Sequence, residues 1–248
     1  MDTAVKKIKN LKLNRPLAIA ASLVVVLATV FSALFTKPNY ASAAWYYDNA
    51  WLYRQKLVID HTKVLNTDQE NFPVMIKITN QYNSVFSNAK DDGTDILFAS
   101  SDGSTKLSHE IDTFSKTSKE LIAWVKIPLL SHETDTTLYM YYGNSEAIDQ
   151  QNKTDVWSNG YVGVWHMNEA SGGADSVKNS TSVASMDGTD YGPVFGQTGK
   201  ISKAIRFDGS DDRIEIASNA SNTMSGDSTY SIQAWIYQTA RGTQYPGI

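Results

Sequence analysis

The chain contains no cysteine. That excludes disulfides, thiolate chemistry and Cys-ligated zinc, so stability must come from apolar cores or from bound metal. Basic residues are scarce beyond the first forty positions. Six of the 22 Lys and Arg precede residue 44 against one acidic residue, which leaves residues 44–248 with 16 basic and 25 acidic side chains and a formal charge of −9. A surface that acidic repels phosphate backbones, and no Lys/Arg stripe with interleaved aromatics offsets it. Nucleic acid is therefore not an expected partner, and neither is a membrane surface held by charge. No Ser/His/Asp order, phosphate-cradling glycine loop or His-rich metal spacing is found.

One long apolar run is present, from Leu17 to Phe35. Lys6, Lys7, Lys9, Lys12 and Arg15 precede it, and Lys37, Pro38 and the small-residue stretch Ala41-Ser42-Ala43-Ala44 follow it. A basic start, an apolar middle and an A-x-A exit form a secretion signal, with cleavage expected after Ala43. The alternative is an uncleaved anchor, since nineteen helical residues span about 28 Å of a bilayer core of about 30 Å. Either way the rest of the chain is expected outside the cell membrane, secreted or tethered by residues 17–35.

From Trp45 to about Asn144 the pattern is short strand-like runs between turn clusters, without helical periodicity. The runs are residues 54–60, 72–79, 95–99, 107–114, 120–127 and 136–142. In the second of them Val74, Ile76 and Ile78 alternate against Met75, Lys77 and Thr79, the period of a half-buried strand. Strands at this spacing predict an antiparallel sandwich over residues 44–145. Residues 146–160 are polar and strand-poor and read as a linker, anchored near its end by Trp157. Further strands are expected at 161–167, 204–207, 213–216 and 230–237, with a Gly/Asp/Ser/Asn-rich stretch up to Gly199 too turn-rich for regular structure. The fold class is thus all-β, with two antiparallel sandwiches in tandem behind an N-terminal apolar signal or anchor helix.

Two families are resembled. Residues 45–145 resemble the DUF2341 domain of unknown function through Trp51-x-Tyr53-Arg54, Phe72-Pro73-Val74, Asp92-Gly93-x-Asp95-Ile96, His109-Glu110-Ile111-Asp112, Ala123-Trp124-Val125-Lys126-Ile127-Pro128 and Leu138-Tyr139-Met140-Tyr141-Tyr142-Gly143-Asn144. Residues 161–248 are similar to the N-terminal half of a laminin-G-like, concanavalin-type jelly roll. The residues concerned are Val162-Gly163-Val164-Trp165-His166-Met167-Asn168-Glu169, Asp175-Ser176, Ala204-Ile205-Arg206-Phe207-Asp208-Gly209-Ser210-Asp211-Asp212 and Tyr230-Ser231-Ile232-Gln233-Ala234-Trp235-Ile236. The second resemblance implies a sandwich that binds glycans or other surface ligands, commonly with calcium.

Oxygen donors for calcium would be Glu169, Asp175, Asp208, Asp211 and Asp212, although Asp-Gly-Ser-Asp-Asp is also ordinary turn chemistry. Glycoside hydrolysis needs paired carboxylates, and the Glu-x-Asp-x-x-Glu signature that some concanavalin-type hydrolases carry is absent. On a strand, His109 faces one side and Glu110 and Asp112 the other. The expectation is a core-facing His109 with both carboxylates in water, and a core role for His166 beside Trp165. Trp124, Tyr139, Tyr141, Trp165 and Trp235 are expected in cores in preference to stacking on sugars. No catalytic residue is assigned. The functional expectation is an exported, non-catalytic recognition or adhesion protein binding glycans or surface polymers, with a structural spacer of a larger surface protein second and a glycan-active hydrolase third.

Overall fold

A computed structural model describes residues 50–218, 222 and 229–239. The basic start, the Leu17–Phe35 run and Ala43 lie outside the described residues. Among the described residues, no helix is long and apolar enough to cross a membrane.

Seven strands build the first part: β1 (Tyr53–Ile59), β2 (Gln69–Ile78), β3 (Leu97–Ala99), β4 (Lys106–Leu107), β5 (His109–Ser115), β6 (Glu120–Leu130) and β7 (Thr136–Tyr142). They form two antiparallel sheets, ordered β1-β7-β3-β4 and β2-β6-β5. The alternation seen in the sequence sets which residues face inward. Leu138, Met140 and Tyr142 of β7 meet Leu121, Ala123, Val125 and Ile127 of β6 in one core, with Val74 and Ile76 packed against it. A short helix that the sequence pattern missed, α1 (Val85–Asn88), adds Val85 and Phe86 to this core. The odd-numbered side of β7 is not solvated. Tyr141 is fully buried there with Trp51, Leu97, Ala99 and Ala147, and Tyr139 packs alongside under the Arg54 guanidinium.

Two motif segments that are remote in sequence meet at Asp95. This fully buried carboxylate accepts the backbone N–H of Lys90 at 2.8 Å and that of Gly143 at 2.7 Å. Gly143 sits at φ +86, and a Cβ there would lie 2.5 Å from the Tyr53 ring. The strand end after Tyr142 can thus turn only with glycine at this position.

At one end of the sheets the β1–β2 and β6–β7 connections are joined twice. The His61 imidazole meets Asp135 at 2.7 Å and the His132 imidazole meets Asp68 at 2.6 Å. Each histidine also donates its backbone N–H to the same carboxylate. β2 is an outer strand and carries Pro73, opposite Lys126 of β6.

His109 points into the core, as its alternation predicts. It is fully buried, edge-on to Phe98 at 5.3 Å. Burial pushes its pKa down to about 4, so the ring is neutral in the folded chain. An unfolded chain would take up a proton near pH 6.5, so folding stability falls as pH drops from about 6.5 to about 4, by roughly 3 kcal/mol from this residue. Urea unfolding at about pH 7 and about pH 5 should show His109→Leu losing much less stability than the wild type on acidification. Equal acid losses in the two proteins would contradict a neutral, core-bound His109.

The second part is less regular. Two two-stranded antiparallel ladders are formed, β8 (Gly188–Tyr191) with β11 (Arg213–Ile216), and β9 (Val194–Thr198) with β10 (Lys203–Arg206). The strands expected at 204–207 and 213–216 are present within one residue. β8 and β9 lie in the stretch expected to have no regular structure. Each is short and holds a glycine, and pairing with β11 and β10 supplies what local periodicity does not.

The strand expected at 161–167 is not formed: only Trp165 makes a bridge, to Asn179. Residues 230–237 are also not a strand, and they are exposed. A strand exists through its ladder: around Trp165 the pairing stops at one bridge, and among the described residues 230–237 join none.

Candidate functional site

Among the described residues, a buried cluster of acidic and basic side chains centres on His166. It begins with a bulge in β5. Ile111 pairs with Ala123 and Thr113 with Ile122, so Asp112 is the extra residue between them. A bulge of this kind re-aims a side chain. It leaves Asp112 and Glu110 both on the outer side of the β2-β6-β5 sheet, next to Trp124.

Residues 151–181 then cover that face. Asn152 donates its N–H to His109 O at 2.9 Å, and Gln151 Oε1 accepts the N–H of Ile111 at 2.6 Å, closing the free edge of β5. The short helix α2 (Lys153–Val156) places Asp155 3.0 Å from Lys126 Nζ. Trp157 is buried, tilted against Trp124 at 5.2 Å and edge-on to Tyr161 at 5.2 Å.

His166 enters between the two carboxylates. Its Nε2 lies 3.0 Å from Glu110 Oε2 and its Nδ1 3.3 Å from Asp112 Oδ2. The side chains are 12 % exposed for His166, 9 % for Glu110 and 2 % for Asp112. Trp157 Nε1 donates to Glu110 Oε2 and Ser180 Oγ donates to Glu110 Oε1, each at 2.6 Å. Asn168 Nδ2 donates to Asp112 Oδ1 and to Asp112 O, each at 3.0 Å. Met167, between the two residues that grip β5, is held at φ +56. A left-handed methionine is strained, and the bonds on either side of it hold it there.

A carboxylate oxygen at each ring nitrogen, 3.0 Å from Nε2 and 3.3 Å from Nδ1, favours His166 as an imidazolium. Burial disfavours that charge, but the hydrogen bond and charge of Glu110, with Asp112 and Glu169 behind, outweigh it and raise the pKa above the usual histidine value. For Glu110, burial acts to raise the pKa. The bonds from His166, Ser180 and Trp157 outweigh that and hold the carboxyl below its usual range. With His166 as the imidazolium the trio carries one net negative charge, and its members are engaged by Trp157, Asn168 and Ser180. Both ring nitrogens of His166 face carboxylate oxygens, and both oxygens of Glu110 accept hydrogen bonds from within the chain.

Two sequence expectations are corrected here. Glu110 and Asp112 do not face water, because residues 157–181 lie on top of them. His166 is not an apolar core histidine, because both of its ring nitrogens meet carboxylates. The signals for this arrangement are Trp157, His166 and Ser180, which stand 47, 56 and 70 positions from Glu110.

The expected calcium donors do not converge. Asp208, Asp211 and Asp212 bring ligand atoms within 4.8 Å of one another, whereas Glu169 and Asp175 belong to no such group among the described residues. Asp208 Oδ1 accepts the N–H of Ser210, and Asp212 Oδ2 that of Asp208, so part of their capacity serves the turn. Glu169 Oε1 accepts the N–H of Lys178, and Asp175 lies at φ +51 beside Thr189. A second group, Asp60, His61 and Asp135, lies on the doubly joined connections. Of the aromatics expected in cores, Tyr141 is buried and Tyr139, Trp124 and Trp165 are half-buried, but Trp235 is 69 % exposed, with Lys200 Nζ 5.6 Å above its ring.

No curated protein and no solved structure matches the chain. The match to DUF2341, a domain of unknown function, runs over residues 92–182 and so takes in β3 to β7 and the whole of the His166 cluster. Over that stretch, from the turn before Asp95 through Ser180, the chain is similar to the DUF2341 domain.

Proposed function

We propose that this chain is an exported, non-catalytic recognition or adhesion protein that presents its second part to glycans or surface polymers. The supporting observation is the engagement of the Glu110–His166–Asp112 trio: its acid–base groups fasten one stretch of the chain to another. The basic start, the apolar run and Ala41-Ser42-Ala43 support export, with cleavage after Ala43 or retention of residues 17–35 as an anchor. The laminin-G-like resemblance of residues 161–248 supports a sugar or surface ligand.

The exposed Trp235 and Tyr237 give such a ligand flat apolar surfaces, and Tyr191 lies under the Arg213 guanidinium at 4.1 Å. Asp208, Asp211 and Asp212 would supply three of the six to eight oxygens that calcium takes, leaving the rest to carbonyls or water. The full chain should bind members of a glycan array, and Trp235→Ala should lower that binding about tenfold, in line with a stacking contribution of about 1–1.5 kcal/mol. Absence of binding across the array, with or without calcium, would remove the glycan reading.

The spacer reading draws on the same contacts, which tie residues 157–181 to β5. An elongated, rod-like scattering profile with no ligand would favour it.

A further inference from the structure

We propose that residues 157–181 are a proton-locked cover over the outer face of the β2-β6-β5 sheet, held down by His166 as an imidazolium and loosened when that proton leaves. The inference rests on geometry and holds whichever ligand the surface takes. Four side chains of the cover reach the two β5 carboxylates: Trp157, His166, Asn168 and Ser180. Three of them are neutral donors. Only His166 brings charge, and it is the one group placed between Glu110 and Asp112.

A neutral imidazole has one N–H. Turned to Glu110, it presents a lone pair to Asp112; turned to Asp112, it presents the lone pair to Glu110. Loss of the proton therefore leaves two buried carboxylates with no cation between them, which separation of the cover and rehydration relieve.

The surrounding charges do not compensate. Glu169 lies near His166 and adds negative charge. Lys126, on β6, is engaged by Asp155 of α2 and by Ser158. Lys178, within the cover, is bonded to Asp187. Tyr161 is a neutral phenol, its ionisation pushed up by burial.

Stability supplied by a histidine whose folded pKa is raised is complete below about pH 6.5 and is lost as pH rises through the folded value. The cover is thus locked below about pH 6.5 and loosened as pH rises through the raised value. Backbone strain at Met167 acts in the same direction, since it is released once His166 and Asn168 let go.

Hydrogen exchange of the full chain read at about pH 6 and about pH 9, corrected for the intrinsic rate, tests this. Protection of residues 157–181 should fall at least about tenfold at the higher pH while that of β6 and β7 holds. His166→Arg, which keeps two-sided donation and does not lose its charge, should abolish the step. Glu110→Gln leaves one carboxylate for a neutral ring to serve and should shrink it. Equal protection of the cover at both pH values would overturn the proposal. So would a fall shared equally by β6 and β7, or a full step persisting in Glu110→Gln.

Discussion

His166→Leu should lose about 3–5 kcal/mol of folding stability at neutral pH, the largest single effect expected among the described residues. Leucine is of similar size, so little packing is lost. What is lost is the only cation between two carboxylates that are 9 % and 2 % exposed. Removing one partner of a buried charged set costs far more than the set contributes, because the remaining charges stay buried without compensation. Urea unfolding at pH 7 measures the change. The double variant His166→Leu with Glu110→Gln should recover part of it, because one stranded charge is then gone. A single-variant loss below about 1 kcal/mol would mean that Glu110 and Asp112 are solvated after all.

Asp95→Ala should follow closely, at about 3 kcal/mol. Its two oxygens each accept a backbone N–H inside the protein, from Lys90 and from Gly143, and alanine leaves both donors unpaired. Bonds to a charged acceptor contribute about 1.5–3 kcal/mol each, and a stranded buried donor costs about 1–3. Asp95→Asn is informative beside it. One asparagine oxygen can serve one donor, but the amide nitrogen then faces the other, so an intermediate loss is expected. Equal stability of Asp95→Ala and wild type in urea would show that these two bonds are made to water instead.

Sequence alone carried the first part far. Val74, Ile76 and Ile78 against Met75 and Lys77, or Leu138, Met140 and Tyr142 against Tyr139 and Tyr141, repeat with the pitch of a pleated strand, and each inward set lies in the core. His109 was legible for the same reason. Glu110 and Asp112 were not, because alternation reports which side of a strand a residue occupies and nothing about what lies on that side. The answer depended on a covering segment without periodicity. Residues 161–167 and 230–237 had strand-like composition and no ladder to join. Gly188–Tyr191 had a ladder without the composition. The motif piece Tyr141-Tyr142-Gly143 gave its meaning only when Asp95 was found against its glycine.

Pro73 bears on how many such chains can crowd together. It lies on β2, which borders its sheet on one side, and it has no N–H to offer a neighbour. A second chain laid along that border would find the row of donors broken in its middle and would lose a bond where the row should continue. Copies held at high density on one surface are thereby discouraged from zipping into fibres along β2. Contacts between them would have to be made by side chains instead of shared backbone.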